Sequence, residues 1–299
     1  MLENISSSID AFLGFLRLEK ESSAHTVTNY AVDLAQFAEF MTLQGVDGVQ
    51  DVDARAIRSF VREMIGFGYS KTTVARKLSA VRSWSAFLKV RGLVRTDAAK
   101  GIKGPRMPKL LPRALSREDA ERLVEQGPEG KTLIRDRAIL EILYGCGLRI
   151  AELVSLRWED MEPVEERMLR VFGKGRKERI VPYGRCALEA VVEWRKLVPS
   201  SSLYLFPGTK ERPLTVRTVH RVVTKAAERV GLSEVTPHTL RHSFATHLLE
   251  GGASIVAVKG LLGHENMLTT QRYIAVGAEH LRESYIVAHP RAKGEDELV

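Results

Sequence analysis

Hydrophobic positions in the first ninety residues recur with a helical period. Ile9, Phe12, Leu13 and Leu16 lie three and four apart, a spacing that gathers side chains on one side of a helix. The spacing returns between Thr26 and Met41 in Val27, Tyr30, Leu34, Phe37 and Phe40. A third helix is predicted over Ala54 to Ile65. A fourth runs from about Lys71 to Val90, with Val74, Leu78, Val81 and Leu88 on one face and Trp84 beside them. Gly66, Gly68 and Gly92 mark the breaks. Four helices with short connections predict a small bundle.

The pattern changes further on. Ser116 stands three residues before Asp119, a helix-start signature. Thr132 to Tyr144 is a strongly apolar helix, and another begins over Ala151 to Leu156. Met168–Phe172 and Glu178–Val181 read as two short strands around the turn 173–177. From Thr215 the chain reads as helical again. The intervening stretch 93–115 holds three prolines, two glycines and six Lys/Arg, the composition of an interdomain linker. The expected fold is therefore mainly α with a small β-sheet. Its expected parts are a helical unit over 1–92, a basic linker over 93–115, a mixed α/β unit over 116–286 and a polar tail over 287–299. The last dozen residues are expected to be mobile.

Composition allows two cores: the chain has 299 residues, 44% of them hydrophobic. Its formal net charge of +8 favours polyanionic partners. The location of that charge says more. Residues 1–70 carry 5 Lys/Arg against 10 Asp/Glu, whereas residues 71–110 carry 11 against 1. Lys71, Arg76, Lys77 and Arg82 are thus candidate DNA-binding residues. Arg76, Ser79, Ala80 and Ser83 form a face of small residues beside a cation, suited to a phosphate backbone or a major groove. The plainer alternative is a solvated helix face. Two cysteines, Cys146 and Cys186, without a C-x-x-C, read as reduced thiols. The N-terminus lacks a basic segment ahead of an apolar run, so no signal peptide is expected. No apolar stretch nears the ~20 residues of a membrane span. A cytoplasmic protein without a membrane partner is expected.

Three segments carry candidate chemistry. In 236–252, TPHTLRHSFATHLLEGG, His238 and Arg241 share a helical face, with His242 and His247 nearby. His238 and His242 also fit H-x-x-x-H, but Thr239 stands where zinc proteases place a general base, and Arg241 would oppose a dication. In 261–273, LLGHENMLTTQRY, Gly263-His264 reads as a helix end. Tyr273, alone, reads as half-buried packing. In 144–156, YGCGLRIAELVSL, Gly145 and Gly147 flank a turn, Arg149 opens a helix and Glu152 can hold its guanidinium.

Together, the order Arg149, Lys174 in FGKGRKERIVP, His238-x-x-Arg241, Gly263-His264 and Tyr273 resembles the tyrosine recombinase (phage integrase) family, most closely its bacterial Xer group. The resemblance covers nearly the whole chain. It implies a helical core-binding, SAM-like DNA-binding domain and an α/β catalytic domain forming a C-shaped DNA clamp. It implies that Tyr273 attacks a DNA phosphate to form a 3′-phosphotyrosyl link, which conserves the ester energy without ATP. Arg149 and Arg241 would offer forked donors to the pentacoordinate transition state. Lys174 would protonate the 5′ leaving oxygen, His238 would take or relay the tyrosine proton, and His264 would bond the scissile phosphate. No metal or other cofactor is implied.

The implied partners are double-stranded DNA, further protomers in a synaptic tetramer with or without a paralogous recombinase, and a DNA-translocase activator. The chain after about Ala278 would dock on a neighbouring protomer. The implied task is resolution of chromosome or plasmid dimers at a dif-like site. Rival readings are a phage, integron or mobile-element integrase, a type IB topoisomerase and a non-catalytic DNA-binding relative. The compact length disfavours an extra arm-binding domain, and the intact set of six residues disfavours loss of catalysis. The chain departs from the group's usual pattern at Gln271-Arg272 before Tyr273 and at Ile274-Ala275-Val276 after it.

Overall fold

The computed structural model describes residues 4–19, 24–106, 114–161, 166–173, 178–210, 212–263 and 278–292. The chain divides into two compact units, residues 1–109 and 110–299.

The first unit holds helices α1 (Ile5–Leu18), α2 (Ala24–Leu43), α3 (Ala54–Gly66) and α4 (Lys71–Val90). Side-chain caps start three of them. Asn4 accepts from the Ser6 N–H, Asp53 from Ala56 and Ser70 from Thr73, each satisfying a donor that a helix start leaves open. Phe12, Phe37, Phe60 and Trp84 are fully buried at the centre. Trp84 keeps its polar edge satisfied by donating Nε1–H to Ser8 Oγ at 3.1 Å.

The first part of the segment read as a basic interdomain linker does not behave as one. Ala99 and Ile102 are buried in this core, and Ser85 Oγ donates to Asp97 Oδ1 at 2.5 Å. Residues 93–102 therefore belong to the bundle: Leu93, Val94 and Ala98 pack against the core that Ala99 and Ile102 enter, which composition alone concealed.

The second unit contains α5 (Arg117–Gln126), a 3₁₀ turn (Gly130–Thr132), α6 (Leu133–Gly145), α7 (Ile150–Ser155), a second 3₁₀ turn (Trp158–Met161), strands β1 (Met168–Phe172) and β2 (Glu178–Pro182), then α8 (Arg185–Arg195), α9 (Val216–Arg229), α10 (Pro237–Glu250), α11 (Ile255–Leu262) and α12 (Ala278–Ala288). Helix α6 is buried continuously from Ala138 to Gly145, as its all-round apolar sequence requires. The strands pair antiparallel, with Leu169 opposite Val181 and Phe172 opposite Glu178. Helix α8 is an element the periodic reading passed over.

The chain end corrects the expectation of a polar tail from residue 287. Tyr285, Ala288, His289, Arg291 and Ala292 are buried in this unit's own core. A Cβ on Gly184 would lie 2.0 Å from the Arg291 carbonyl oxygen, and one on Gly251 would lie 2.2 Å from that of Ala288. Two glycines thus admit the returning backbone. Residues 288–292 are therefore packed and do not form a loose polar tail. Arg291 draws them in by pairing with the buried Glu141.

Candidate active site

The site begins at the turn between α6 and α7. Gly147 has φ +59°, and a Cβ there would meet Phe244 Cδ1 at 2.3 Å. Both the backbone sign and the ring contact demand glycine. Its carbonyl oxygen accepts from Arg241 Nη1 on α10 at 2.6 Å. Two residues on, Arg149 is the N-cap of α7. Its backbone N–H donates to Glu152 Oε2 at 2.8 Å and its Nη1 to Glu152 Oε1 at 2.9 Å.

Glu152 is the hub. Arg179 on β2 grips it with two parallel bonds, Nη1 to Oε1 and Nη2 to Oε2, both 2.8 Å. Arg241 Nη1 stands 3.8 Å from Oε2. One buried carboxylate therefore faces three guanidiniums. Burial opposes the Glu152 charge, but the hydrogen bonds and charge of Arg179, followed by the backbone and side-chain hydrogen bonds of Arg149, hold its pKa down to about 2. For Arg241, burial and then the neighbouring Arg149 charge lower the pKa to about 10, so it stays cationic at neutral pH. The cluster keeps an excess of positive charge.

The same arginines grip the end of α11. Arg179 Nε donates to the Leu261 carbonyl at 2.9 Å, Arg241 Nη2 to Leu262 at 2.5 Å and Arg149 Nη2 to Gly263 at 3.4 Å. A helix C-terminus presents carbonyls without intrahelical partners and a partial negative charge, which suits cations. Gly263 closes the helix in the left-handed region at φ +62°. Arg149, with 45% of its side chain exposed, also reaches solvent.

The structure thus brings Arg149 and Arg241 together. His238 sits at the exposed start of α10, one turn before Arg241. Lys174, His264 and Tyr273 lie outside the described residues. The described backbone brackets them: the Phe172–Glu178 pair closes the hairpin around 173–177, and Gly263 precedes His264. His247 has a structural part, since Leu115 O accepts from its Nε2 at 2.9 Å and Tyr144 OH meets its Nδ1 at 2.7 Å. In the tautomer that donates from Nε2, Nδ1 accepts a hydrogen bond from the Tyr144 hydroxyl.

Sequence reading missed Arg179. A signal existed: in the alternation of β2, Arg179 falls on the same side as the buried Val181, and an inward arginine on a strand needs a buried acid.

Among the candidates on α4, Lys77 is corrected. It is buried, and its Nζ lies 3.0 Å from Asp33 Oδ1, so it neutralises a buried acid instead of facing DNA. Ala80 is buried as well. Lys71, Arg76, Ser79 and Arg82 stay exposed. Arg76 also pairs with Asp33, and Arg82 donates to the Ile102 carbonyl, which stiffens both side chains.

The family profile for the phage integrase family matches residues 113–280, and that for the phage integrase N-terminal SAM-like domain matches residues 9–92. The chain belongs to the phage integrase family of tyrosine recombinases. It is a DNA strand-exchange enzyme by that membership. This tyrosine recombinase is 39% identical to tyrosine recombinase XerC of Xanthomonas axonopodis pv. citri (strain 306), across 96% of the chain and 98% of that relative. It is also 39% identical to tyrosine recombinase XerC of Thermodesulfovibrio yellowstonii, across 99% of the chain and all of that protein. In fold it is similar to a lambda integrase fragment (75–356) solved as a dimer bound to a COC′ core site, with TM-score 0.69 and 20% identity over 90% of this chain and 97% of that one. It is similar too to the XerH site-specific recombinase bound to a difH substrate, with TM-score 0.64 and 22% identity over 89% and 81% of the two chains. Among the described residues of the recombinase, no helix is long and apolar enough to cross a membrane.

Proposed function

We propose that this XerC-like tyrosine recombinase cuts and rejoins double-stranded DNA at a dif-like site through Tyr273, resolving chromosome or plasmid dimers in the cytoplasm. The observation that carries the reading is the pair Arg149 and Arg241, held by one carboxylate with positive charge to spare at the helix end that precedes His264. A phosphorane gains negative charge as it forms, and preorganised guanidiniums stabilise that charge without reorganising. Arg149 offers its outward edge to the non-bridging oxygens. Arg241 supplies a second, more deeply buried cation. Tyr273 is the nucleophile, Lys174 the acid for the 5′ oxygen, His238 the group that takes the tyrosine proton and His264 a phosphate ligand. Lys71, Arg76 and Arg82 add backbone contacts from the first unit.

The names of the relatives support this reading: XerC proteins match nearly end to end, and XerH was solved on difH. A lambda integrase tetramer on a Holliday junction, similar in fold, supports a tetrameric synapse here. A paralogous recombinase as second member and a DNA translocase as activator belong to the same proposal. The test is a nicked suicide duplex carrying candidate dif sites. Wild type is expected to form an SDS-resistant protein–DNA adduct and Tyr273→Phe none. Equal adduct from both proteins overturns the assignment of the nucleophile.

A further inference from the structure

We infer that Arg179 is a positioning residue for the phosphate pocket: it fixes Glu152, and through it Arg149, while tying the hairpin strand to the end of α11. The inference rests on the proposed role of Arg149 in binding the scissile phosphate.

Arg179 does not face solvent. Its side chain is 12% exposed. Its Nη1 and Nη2 both bond Glu152, and its Nε bonds Leu261 O. None of these three nitrogens is oriented to serve a phosphate, so a direct catalytic part is disfavoured. Its partners, however, lead to three of the groups proposed to act. Glu152 carries Arg149 by both its guanidinium and its backbone N–H. Leu261 lies three residues before His264. Strand β2 bears Arg179 as its second residue and closes the hairpin that contains Lys174. A single guanidinium thus joins β2, the start of α7 and the end of α11. A lysine cannot replace it, because one ammonium cannot form the planar fork and reach the carbonyl together.

The arrangement also sets a charge. Among the described residues, the charged groups facing Glu152 are Arg149 at the start of α7, Arg179 on β2 and Arg241 on α10. Arg179 makes the closest two-point contact with it. Without Arg179, the Glu152 carboxyl returns toward the ordinary carboxylate range and titrates where DNA cleavage can be measured. A protonated Glu152 no longer holds the Arg149 guanidinium by charge.

The test uses the full chain and single-turnover cleavage of the nicked duplex, with DNA affinity measured in parallel, for wild type, Arg179→Met, Arg179→Lys, Glu152→Gln and the double variant. Arg179→Met is expected to cleave ~10- to ~100-fold more slowly, the range typical of lost supporting contacts, with DNA affinity within about threefold. The ratio of its rate to that of wild type should fall as pH drops below about 5.5, and the ratio for the double variant should not. Arg179→Lys should recover little of the rate, and it reports on the fork if the methionine variant folds poorly. A rate within about threefold of wild type, a loss that is flat with pH, or full rescue by lysine overturns the inference.

Hydrogen exchange without DNA separates this outcome from failure of the functional reading. Arg179→Met should speed exchange in both the 149–156 and 258–263 segments. If wild type forms no adduct but both segments open, the proposed function fails and the positioning stands. If neither segment changes, the positioning fails whatever the adduct shows.

Discussion

Glu141 and Glu152 lie eleven residues apart in sequence, both buried, both gripped by a forked arginine, yet their surroundings balance oppositely. Glu141 on α6 receives Arg291 Nε at 2.9 Å and Nη2 at 2.5 Å, and the remaining Nη1 meets Glu125 at 2.9 Å. Two carboxylates surround one cation. Burial opposes the Arg291 charge, but the bonds to Glu141 more than offset it and raise the Arg291 pKa. Around Glu152 the ratio is reversed, with three guanidiniums to one acid. The first cluster has no positive charge left for an anion and acts as a staple for the chain end. The second holds excess positive charge at a helix terminus and is built to receive an anion. Burial and ion pairing are common to both; the excess distinguishes a site from a fastening.

The largest effect should come from breaking the staple. Arg291→Met leaves Glu141 buried without its cation, and such losses cost ~3–5 kcal/mol of stability. The urea midpoint should fall sharply, while the cleavage rate of the remaining folded protein stays within about threefold. A rate collapse at unchanged stability would put Arg291 in the chemistry and erase the contrast.

Next in size is Arg149→Ala. Removing a preorganised donor costs ~3 kcal/mol of barrier, about a hundredfold in cleavage rate, with a small change in the urea midpoint. Single-turnover kinetics and unfolding curves on the same variant decide the matter. The reverse result, large destabilisation and little change in rate, would make this cluster another staple.

A smaller effect concerns acid. His289 stacks on Tyr285 with centroids 5.0 Å apart. Burial, then the charges of His247 and Arg291, lower its pKa from 6.5 to about 3. Between those values the unfolded chain binds the proton and the folded chain does not. Stability therefore falls as pH drops from about 6.5 toward 3, by up to ~1.4 kcal/mol per pH unit for this one group. Glu152 adds in the same direction only below its ordinary 4.5. His289→Phe should flatten the dependence of urea midpoint on pH in the upper part of that window. An unchanged slope would mean that His289 does not resist protonation in the fold.

Much of this was legible in advance, for reasons that particular residues make plain. The four bundle helices follow from local periodicity. The Ser116 cap and the β1–β2 hairpin follow from local chemistry. Arg149 and Glu152, three residues apart, could be paired on paper. Arg179 bonds Glu152 across 27 residues and Arg291 bonds Glu141 across 150, and no local pattern announces such partners. Lys77 was misread for the same reason. Its charge suggested DNA until the fold placed the buried Asp33 beside it.

The smallest effect returns to α4. Neutralising Arg76 or Arg82 should lower the steepness of log K against log salt by ~0.9 per lost phosphate contact. Lys77→Met should instead lower stability and leave the slope alone. A slope change for Lys77 equal to that for Arg76 would undo the distinction between the exposed face and the buried pair.

The central claim is the covalent bond at Tyr273. Digesting the trapped protein–DNA adduct and sequencing the modified peptide by tandem mass spectrometry tests it directly. The account predicts one nucleotide remnant, 3′-linked through phosphate to Tyr273. A remnant mapped to any other residue would contradict it.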